Sequence, residues 1–273
     1  MGIDRREFLV KVAGLSTIIG LGGTSAFQLL RPGELYASET AAKAEGHGGG
    51  DSATTKPLGI RYGMAIDMSK NEDWQACIDA CHREHNVPTV GNPKEEIKWI
   101  WRETYEHTFP TQNPEFLSEQ LEKIPFLVLC NHCDQPGCVR VCPTKATFKQ
   151  ADGIVNMDMH RCIGCRFCMA GCPYGARSFN WREPRVYFKG KEAEINPKYP
   201  TRERGVVEKC NFCAERAPFK EKLPACVEKC KNGGIIFGDL NDPNSEIRRI
   251  LHTKSTIRRT PEAGTFPSVF YVV

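Results

Sequence analysis

Fourteen cysteines in four spaced groups, a pair of arginines ahead of an uncharged N-terminal stretch, and a turn-and-strand signal between the two middle cysteine groups decide the fold class. Together they predict a chain folded as small modules around metal-binding loops. With 273 residues, 40% of them hydrophobic and 26% charged, there is material for one or two compact domains. The net charge is +4, and Lys and Arg are spread along the chain. Such a mildly basic surface gives no reason to expect nucleic acid.

The N-terminus comes first. Asp4-Arg5-Arg6-Glu7-Phe8-Leu9-Val10-Lys11 precedes an uncharged stretch from Val12 to Leu30, diluted by Ala13, Gly14, Ser16, Gly20, Gly22 and Gly23. A basic region followed by an apolar one describes an export signal. Adjacent arginines followed by Glu-Phe-Leu resemble the twin-arginine (Tat) pattern. Leu35-Tyr36-Ala37 offers a cleavage site before Ser38, so residues 1–37 read as a Tat signal peptide. A transmembrane anchor competes, but the stretch is near the lower limit for spanning and rich in glycine; uncleaved, it could still tether the protein. Residues 38–57 are small, polar and glycine-rich, a flexible linker in which His47 is solvated. No other apolar segment is long enough to cross a membrane.

The cysteines carry the chemistry. The third group, Cys162-x2-Cys165-x2-Cys168-x3-Cys172-Pro173, is the bacterial ferredoxin run for 4Fe-4S ligation. Three thiolates at this spacing let a short loop wrap one face of a cluster, with backbone N–H groups turned toward sulfur. Gly164 allows the tight turn at positive φ, and Pro173 fixes φ where the chain leaves. Cys172, one helical turn beyond Cys168, reaches a second cluster. The second group, Cys130-x2-Cys133-x4-Cys138-x3-Cys142-Pro143, is the same run with an insertion around Pro136-Gly137. Between them, Asp152-Gly153-Ile154-Val155-Asn156-Met157 reads as a turn and a short strand. By the crossing rule, cluster A takes Cys130, Cys133, Cys138 and Cys172, and cluster B takes Cys162, Cys165, Cys168 and Cys142.

The fourth group, Cys210-x2-Cys213-x12-Cys226-x3-Cys230, is a stretched version of the run, and the first retains only Cys77-x3-Cys81. Counting back from Cys77, the two missing thiols fall at Asn71 and Trp74. Trp cannot ligate iron, and Asn is a poor substitute for thiolate. Pairing these groups gives cluster C a full set, Cys210, Cys213, Cys226 and Cys81, while a fourth cluster would have only Cys77 and Cys230. Lys231 also follows Cys230, where Cys142 and Cys172 are followed by proline. The expectation is twelve ligands, three 4Fe-4S clusters, and a leftover pair, Cys77 and Cys230, able to form a disulfide in an oxidising compartment if geometry permits.

Other readings were weighed. Zinc has no use for a third spaced cysteine followed by Cys-Pro, twice over. Cys77-x3-Cys81-His82 is one residue longer than the c-type haem attachment motif. His82, His85, His107, His132, His160 and His252 show no paired metal spacing and read as surface or hydrogen-bonded side chains; His132, inside a binding loop, could tune a potential. Trp99 and Trp101 read as core or half-buried strand. A disulfide scaffold suits an exported chain but not this spacing, and the Tat route is one that carries proteins already folded with their cofactor.

From about Ile60 onward the sequence resembles the four-cluster ferredoxin-type electron-transfer subunits of membrane respiratory oxidoreductases. The resemblance rests on Tyr62-Gly63-Met64-Ala65-Ile66-Asp67, Val141-Cys142-Pro143-Thr144, Arg161-Cys162-Ile163-Gly164-Cys165 and Cys172-Pro173-Tyr174-Gly175-Ala176-Arg177. It extends through Lys209-Cys210-Asn211-Phe212-Cys213, Leu223-Pro224-Ala225-Cys226, Phe237-Gly238-Asp239-Leu240-Asn241-Asp242-Pro243 and Pro261 to Tyr271. Within that family, the Tat signal, the lack of a C-terminal membrane helix and the Leu58-Gly59-Ile60-Arg61-Tyr62-Gly63-Met64 opening look most like the O subunit of the Dsr membrane complex of dissimilatory sulfur metabolism. The resemblance implies a periplasmic position on the outer face of the cytoplasmic membrane. It implies as partners an NrfD-type quinone-interacting membrane subunit and a multihaem cytochrome c, or, in the alternative, a molybdopterin subunit. Asn71 and Trp74 depart from the four-cluster pattern.

The fold implied is α+β, with two interlocked ferredoxin-like dicluster modules. One is built from residues 58–90 with 205–240, the other from 124–180, and 241–273 is a tail packing on the domain. Residues 91–123 and 181–204 read as insertions forming partner surfaces, and Asp242 to Glu246 as a turn and N-cap opening a helix through Leu251. No residue reads as a nucleophile or acid–base pair. The chain reads as a conductor of single electrons, with the altered fourth position expected at one end of the row or bypassed by a partner's cofactor.

Overall fold

The computed structural model describes residues 59–273 apart from 71–72, 113–115, 201 and 220. The expected signal peptide, the linker and Asn71 lie outside the described residues. In chain order the elements are β1 (Tyr62–Asp67), α1 (Gln75–Glu84), β2 (Ile100–Glu103), α2 (Tyr105–Thr108), α3 (Glu119–Lys123), β3 (Phe126–Leu129), α4 (Gly137–Arg140), β4 (Thr147–Lys149) and β5 (Val155–Met157). There follow α5 (Phe167–Ala170), β6 (Ser178–Phe179), β7 (Val207–Glu208), α6 (Ala225–Glu228), β8 (Ile235–Asp239), α7 (Glu246–Thr253), β9 (Thr256–Ile257) and β10 (Val269–Val272). Short helices and short strands mix along the chain, an α+β fold.

The main sheet has the order β8-β1-β10-β9. β1 is its centre. It runs antiparallel to β8, with Tyr62 opposite Asp239, and parallel to β10, with Met64 opposite Val269. Every residue of β1 is buried, which explains its continuous apolar run where an exposed strand would alternate. Helices α1 and α6 pack together beside this sheet. A two-stranded pair, β4 with β5, turns at Gly153 (φ +83°), and α4 packs on α5. The two halves are tied by β6 pairing with β7, since Phe179 lies opposite Val207. Helix α7 starts at Ser245, whose hydroxyl accepts from Arg248 N–H at 3.3 Å; it runs two residues past Leu251. Among the described residues no helix is long and apolar enough to cross a membrane.

The stretches 91–123 and 181–204 also send side chains into the core. β2 pairs with β3, placing Ile100 opposite Leu129. Ile97, Trp99, Ile100, Tyr105 and Phe109 are buried in the main core. Phe109 meets Phe126 and Tyr271 edge-on at 5.5 and 5.3 Å, a favoured aromatic geometry. From the second stretch, Arg202 is buried and ion-paired with Glu208, while its guanidinium lies 5.2 Å from the Trp99 ring. Glu208 also accepts from Trp99 Nε1 at 2.8 Å and Asn180 Nδ2 at 2.5 Å. The first stretch gives the core a strand and several aromatic side chains; of the second, Pro184, Tyr199 and Arg202 are buried while most of the rest is exposed or half-buried.

Candidate metal centres

The strands and one-turn helices bring the cysteines into clusters of sulfur. β3 delivers Cys130 at its end, α4 carries Cys138, and Cys172 follows α5 after Gly171. The thiols of Cys130, Cys138 and Cys172 all act electrostatically on Cys133. Cys142, Cys162, Cys165 and Cys168 line one common cavity with Thr144, Thr147, Met157 and Val207. Cys81, near the end of α1, is acted on by Cys210, Cys226 and Cys213. Three separate quartets of thiols result.

Two loops show why the sequence folds this way. Gly164 has φ +71°, and a Cβ there would stand 2.3 Å from the Gly205 carbonyl oxygen. The Cys162–Cys165 loop therefore rests directly on the backbone that leads into β7. Around Cys210, the N–H of Phe212 donates to its sulfur at 3.4 Å, and Ala225 N–H donates to Cys213 Sγ at 3.4 Å. Such N–H···S bonds favour the thiolate over the thiol.

Cys77 lies buried on α1 one turn before Cys81, and Cys230 follows α6, its sulfur accepting from Gly234 N–H at 3.1 Å. Trp74, at the sequence position of a ligand, is only 1% exposed. Its indole N–H donates to the Pro125 carbonyl at 2.7 Å, so its one polar atom is used. Trp74, Cys77 and Cys81 share the main apolar core, against which Cys230 packs. This fourth position brings together two thiols and a core tryptophan.

The quartets form a row. The Arg177 guanidinium interacts with both Cys138 of the first quartet and Cys168 of the second. Cys130 of the first acts on Cys210 of the third. Beyond the third, Cys230 acts on Cys226. Through Cys230 the fourth position therefore neighbours the Cys81 quartet. The opposite end reaches the surface: among the described cysteines Cys165 alone is exposed. Around it Ile163 and Phe167 are 68% and 60% exposed, and Arg166 lies over the Trp181 ring at 4.7 Å.

Burial, with neighbouring thiols adding to it, pushes some of these thiols up: Cys133 and Cys226 to about 12, Cys81 and Cys213 well above their ordinary value. Cys142 shifts the other way. Burial acts upward there too, but backbone N–H groups of Thr147, Thr144 and Ala146 and the Thr144 hydroxyl hold it below the ordinary range. Quartets of crowded thiols, buried in two cases and nearer the surface in the one with Cys165, are a donor set for iron, which needs them deprotonated and supplies the compensating positive charge. One buried cation points the same way: the Arg177 guanidinium faces the Cys138 and Cys168 thiols, where an anionic group would sit. The residues present fit 4Fe-4S clusters.

Two histidines stand beside the thiols. His85 is buried, with Nδ1 3.0 Å from the Cys81 carbonyl oxygen and Nε2 2.8 Å from Glu215 Oε1; its donor atom, with those of Cys213 and Glu215, lies within a 4.8 Å group. His132 sits in its loop with φ +41°, stacks on Phe212 at 3.6 Å, and accepts from Val155 N–H at 3.1 Å. Burial, then the charges of Lys209 and Arg177, hold it neutral, well below the usual imidazole range. Among these only His132 carried a sequence signal, its place inside a ligand run.

Comparison with known proteins agrees with this geometry. Residues 124–187 match the family described as 4Fe-4S dicluster domain. The chain is 45% identical over 203 residues to the Hdr-like menaquinol oxidoreductase iron-sulfur subunit 1 of Archaeoglobus fulgidus, covering 71% of each protein. It is 35% identical over 240 residues to the menaquinone reductase iron-sulfur cluster-binding subunit of Nitratidesulfovibrio vulgaris, covering 80% of this chain and 90% of that one. With protein NrfC of Escherichia coli it shares 36% identity over 270 residues, covering 98% and 95%. The quartets, the dicluster match and these relatives together make the chain a member of the 4Fe-4S dicluster family of iron–sulfur electron-transfer subunits of oxidoreductase complexes.

Proposed function

We propose that the chain conducts single electrons through three 4Fe-4S clusters between a membrane quinone-interacting subunit of NrfD type and a multihaem cytochrome c. The place is the outer face of the cytoplasmic membrane after Tat export, and the role is that of the Dsr O subunit in dissimilatory sulfur metabolism. Cluster A is held by Cys130, Cys133, Cys138 and Cys172, cluster B by Cys162, Cys165, Cys168 and Cys142, and cluster C by Cys210, Cys213, Cys226 and Cys81. When bound, each cluster supplies a one-electron redox centre, its potential set by charge, hydrogen bonds to sulfur and exposure.

One observation carries the count of three: the fourth position holds a buried Trp74 where a ligand would stand, its indole N–H committed to Pro125. That position neighbours the third quartet, and the relay through B, A and C does not pass through it. The exposed Cys165 end, flanked by Ile163, Phe167 and Trp181, supports electron entry or exit there. The Arg5-Arg6 signal supports export, and the two quinol- and quinone-linked relatives support the quinone side.

Iron and acid-labile sulfide per chain, measured on protein purified anaerobically with its partners, test the reading. About twelve of each, with a membrane subunit and a haem protein copurifying, is expected. About sixteen overturns the three-cluster count, and almost none overturns the cluster reading itself. Copurification of a molybdopterin subunit in place of the haem protein replaces the proposed partner.

A further inference from the structure

Two cations are buried between the quartets without a carboxylate. Arg177 is 5% exposed and Lys209 3%. Arg177 Nη1 donates to Thr147 Oγ1 at 3.2 Å and lies 3.8 Å from Met157 Sδ, and the guanidinium also faces the Cys138 and Cys168 thiols. Lys209 Nζ donates to the Val155 and Cys210 carbonyls. Among the described residues neither makes an ion pair. Placing an uncompensated cation in a protein interior is costly, so something anionic must offset it.

Position identifies the offset. Arg177 interacts with Cys138 and Cys130 of the first quartet and Cys168 of the second. Lys209 precedes Cys210 of the third quartet and acts on His132, which sits between Cys130 and Cys133 of the first. Each cation therefore stands at a junction: Arg177 between A and B, Lys209 between A and C. Two other buried arginines are different: Arg259 lies on the Tyr174 ring and donates to the Thr108 and Tyr174 carbonyls. Arg202, near Cys81, has its own carboxylate in Glu208 and adds little net charge.

We propose that Arg177 and Lys209 are the potential-setting charges of the relay, each raising the potentials of the two clusters it separates and easing repulsion between electrons on them. Adding one electron to either neighbour puts one negative charge beside a fixed cation, and no proton need follow it. An unpaired unit charge at such range in a protein interior moves a one-electron equilibrium about tenfold, about 59 mV. The proposal rests on the three-cluster reading, whose own failure would appear as a wrong iron count in the unmutated protein.

The test is an EPR-monitored redox titration of the full chain, with dithionite as reductant, beside an iron and sulfide assay of each variant. Arg177→Met is expected to lower the potentials of A and B by about 59 mV each, a tenfold change in the one-electron equilibrium, and leave C in place; Lys209→Met is expected to lower A and C and leave B. Arg177→Lys and Lys209→Arg keep the charge and should stay near the unmutated potentials. A shift of all three clusters alike, or none at full iron content, overturns the proposal. Should Arg177→Met lose iron, Lys209→Met decides. Loss of iron from both, with no potential shift in the clusters that remain, makes the cations structural and overturns it too.

Discussion

Replacing Gly164 by alanine tests how tightly the Cys162–Cys165 loop is built. Two costs add. At φ +71° any residue with a Cβ is strained, by roughly 1–2 kcal/mol. The new methyl would also stand 2.3 Å from the Gly205 carbonyl oxygen and 3.2 Å from Phe179 Cε2, where ordinary contact starts at 3.4 Å. Both obstacles are poorly movable: the first is backbone held by Gly205 N–H donating to Asn180 O at 2.8 Å, and the second belongs to β6. Overpacking of this kind costs about 1–3 kcal/mol. The total, on the order of 3 kcal/mol, is below the whole stability of a typical domain, so the fold survives while the loop is displaced.

Gly175→Ala is the control. Its φ is +62° but nothing lies within 4 Å of a Cβ there, so it carries the conformational cost without the collision. Gly164→Ala should lose cluster B selectively, iron falling from about twelve to about eight per chain, with the remaining EPR signals retained. Gly175→Ala should keep full iron and lose only a few degrees of Tm. Equal behaviour of the two variants would refute the reasoning, because it would mean that contact with Gly205 is not what shapes the loop.

Two further outcomes follow from the packing. Arg202→Met leaves the Glu208 carboxylate buried with no ion-pair partner, which costs about 3–5 kcal/mol; a Tm lowered by roughly 10 °C is expected in thermal unfolding, with partial recovery when Glu208→Gln is added. Asp67 is the pH-sensitive contact of the main sheet. Burial acts to raise its carboxyl, but hydrogen bonds from Lys254 at 2.7 Å and from Ser69 outweigh it and hold the pKa below the ordinary range. The stability it adds is therefore present above the unfolded value, about 3.9, and lost as pH falls through the lower folded value. Lys254→Met should move the acid unfolding midpoint, followed by circular dichroism, to higher pH; an unchanged midpoint would show that the contact contributes nothing.

What was legible in the sequence was whatever is decided within one loop or one turn. Cys162, Cys165 and Cys168 are spaced by the reach of a single loop, Gly164 by its φ, and Ser245 by the N–H groups of its own helix, so each announces itself over a few residues. That made it possible to say which thiols would be neighbours. The long-range partners were hidden for the opposite reason. Trp99 and Glu208 are 109 residues apart and Arg177 and Thr147 30 apart, joined only when separate elements meet. Neither Trp99 nor Arg177 carries a local pattern that separates core from surface, and the charged, proline-bearing stretches around Trp99 and Arg202 looked like surface because a single indole or guanidinium does not change composition.

The same distinction explains where the relay is adjustable. Ligand spacing is local and strict, since moving one cysteine breaks a loop. The buried charges between loops come from distant elements, Arg177 beyond α5 and Lys209 just after β7, and can change without altering any ligand run. Two chains with identical cysteine spacing can then hold the same clusters at different potentials, because exposure, hydrogen bonds to sulfur and neighbouring charge set the potential and the spacing does not. In this chain the two ends of the row are already unlike: Cys165 is exposed beside Ile163 and Phe167, whereas Cys81, Cys210, Cys213 and Cys226 at the other end are buried. A conductor with one open end and one closed end needs its gradient built inside, and the junction cations are the groups placed to build it.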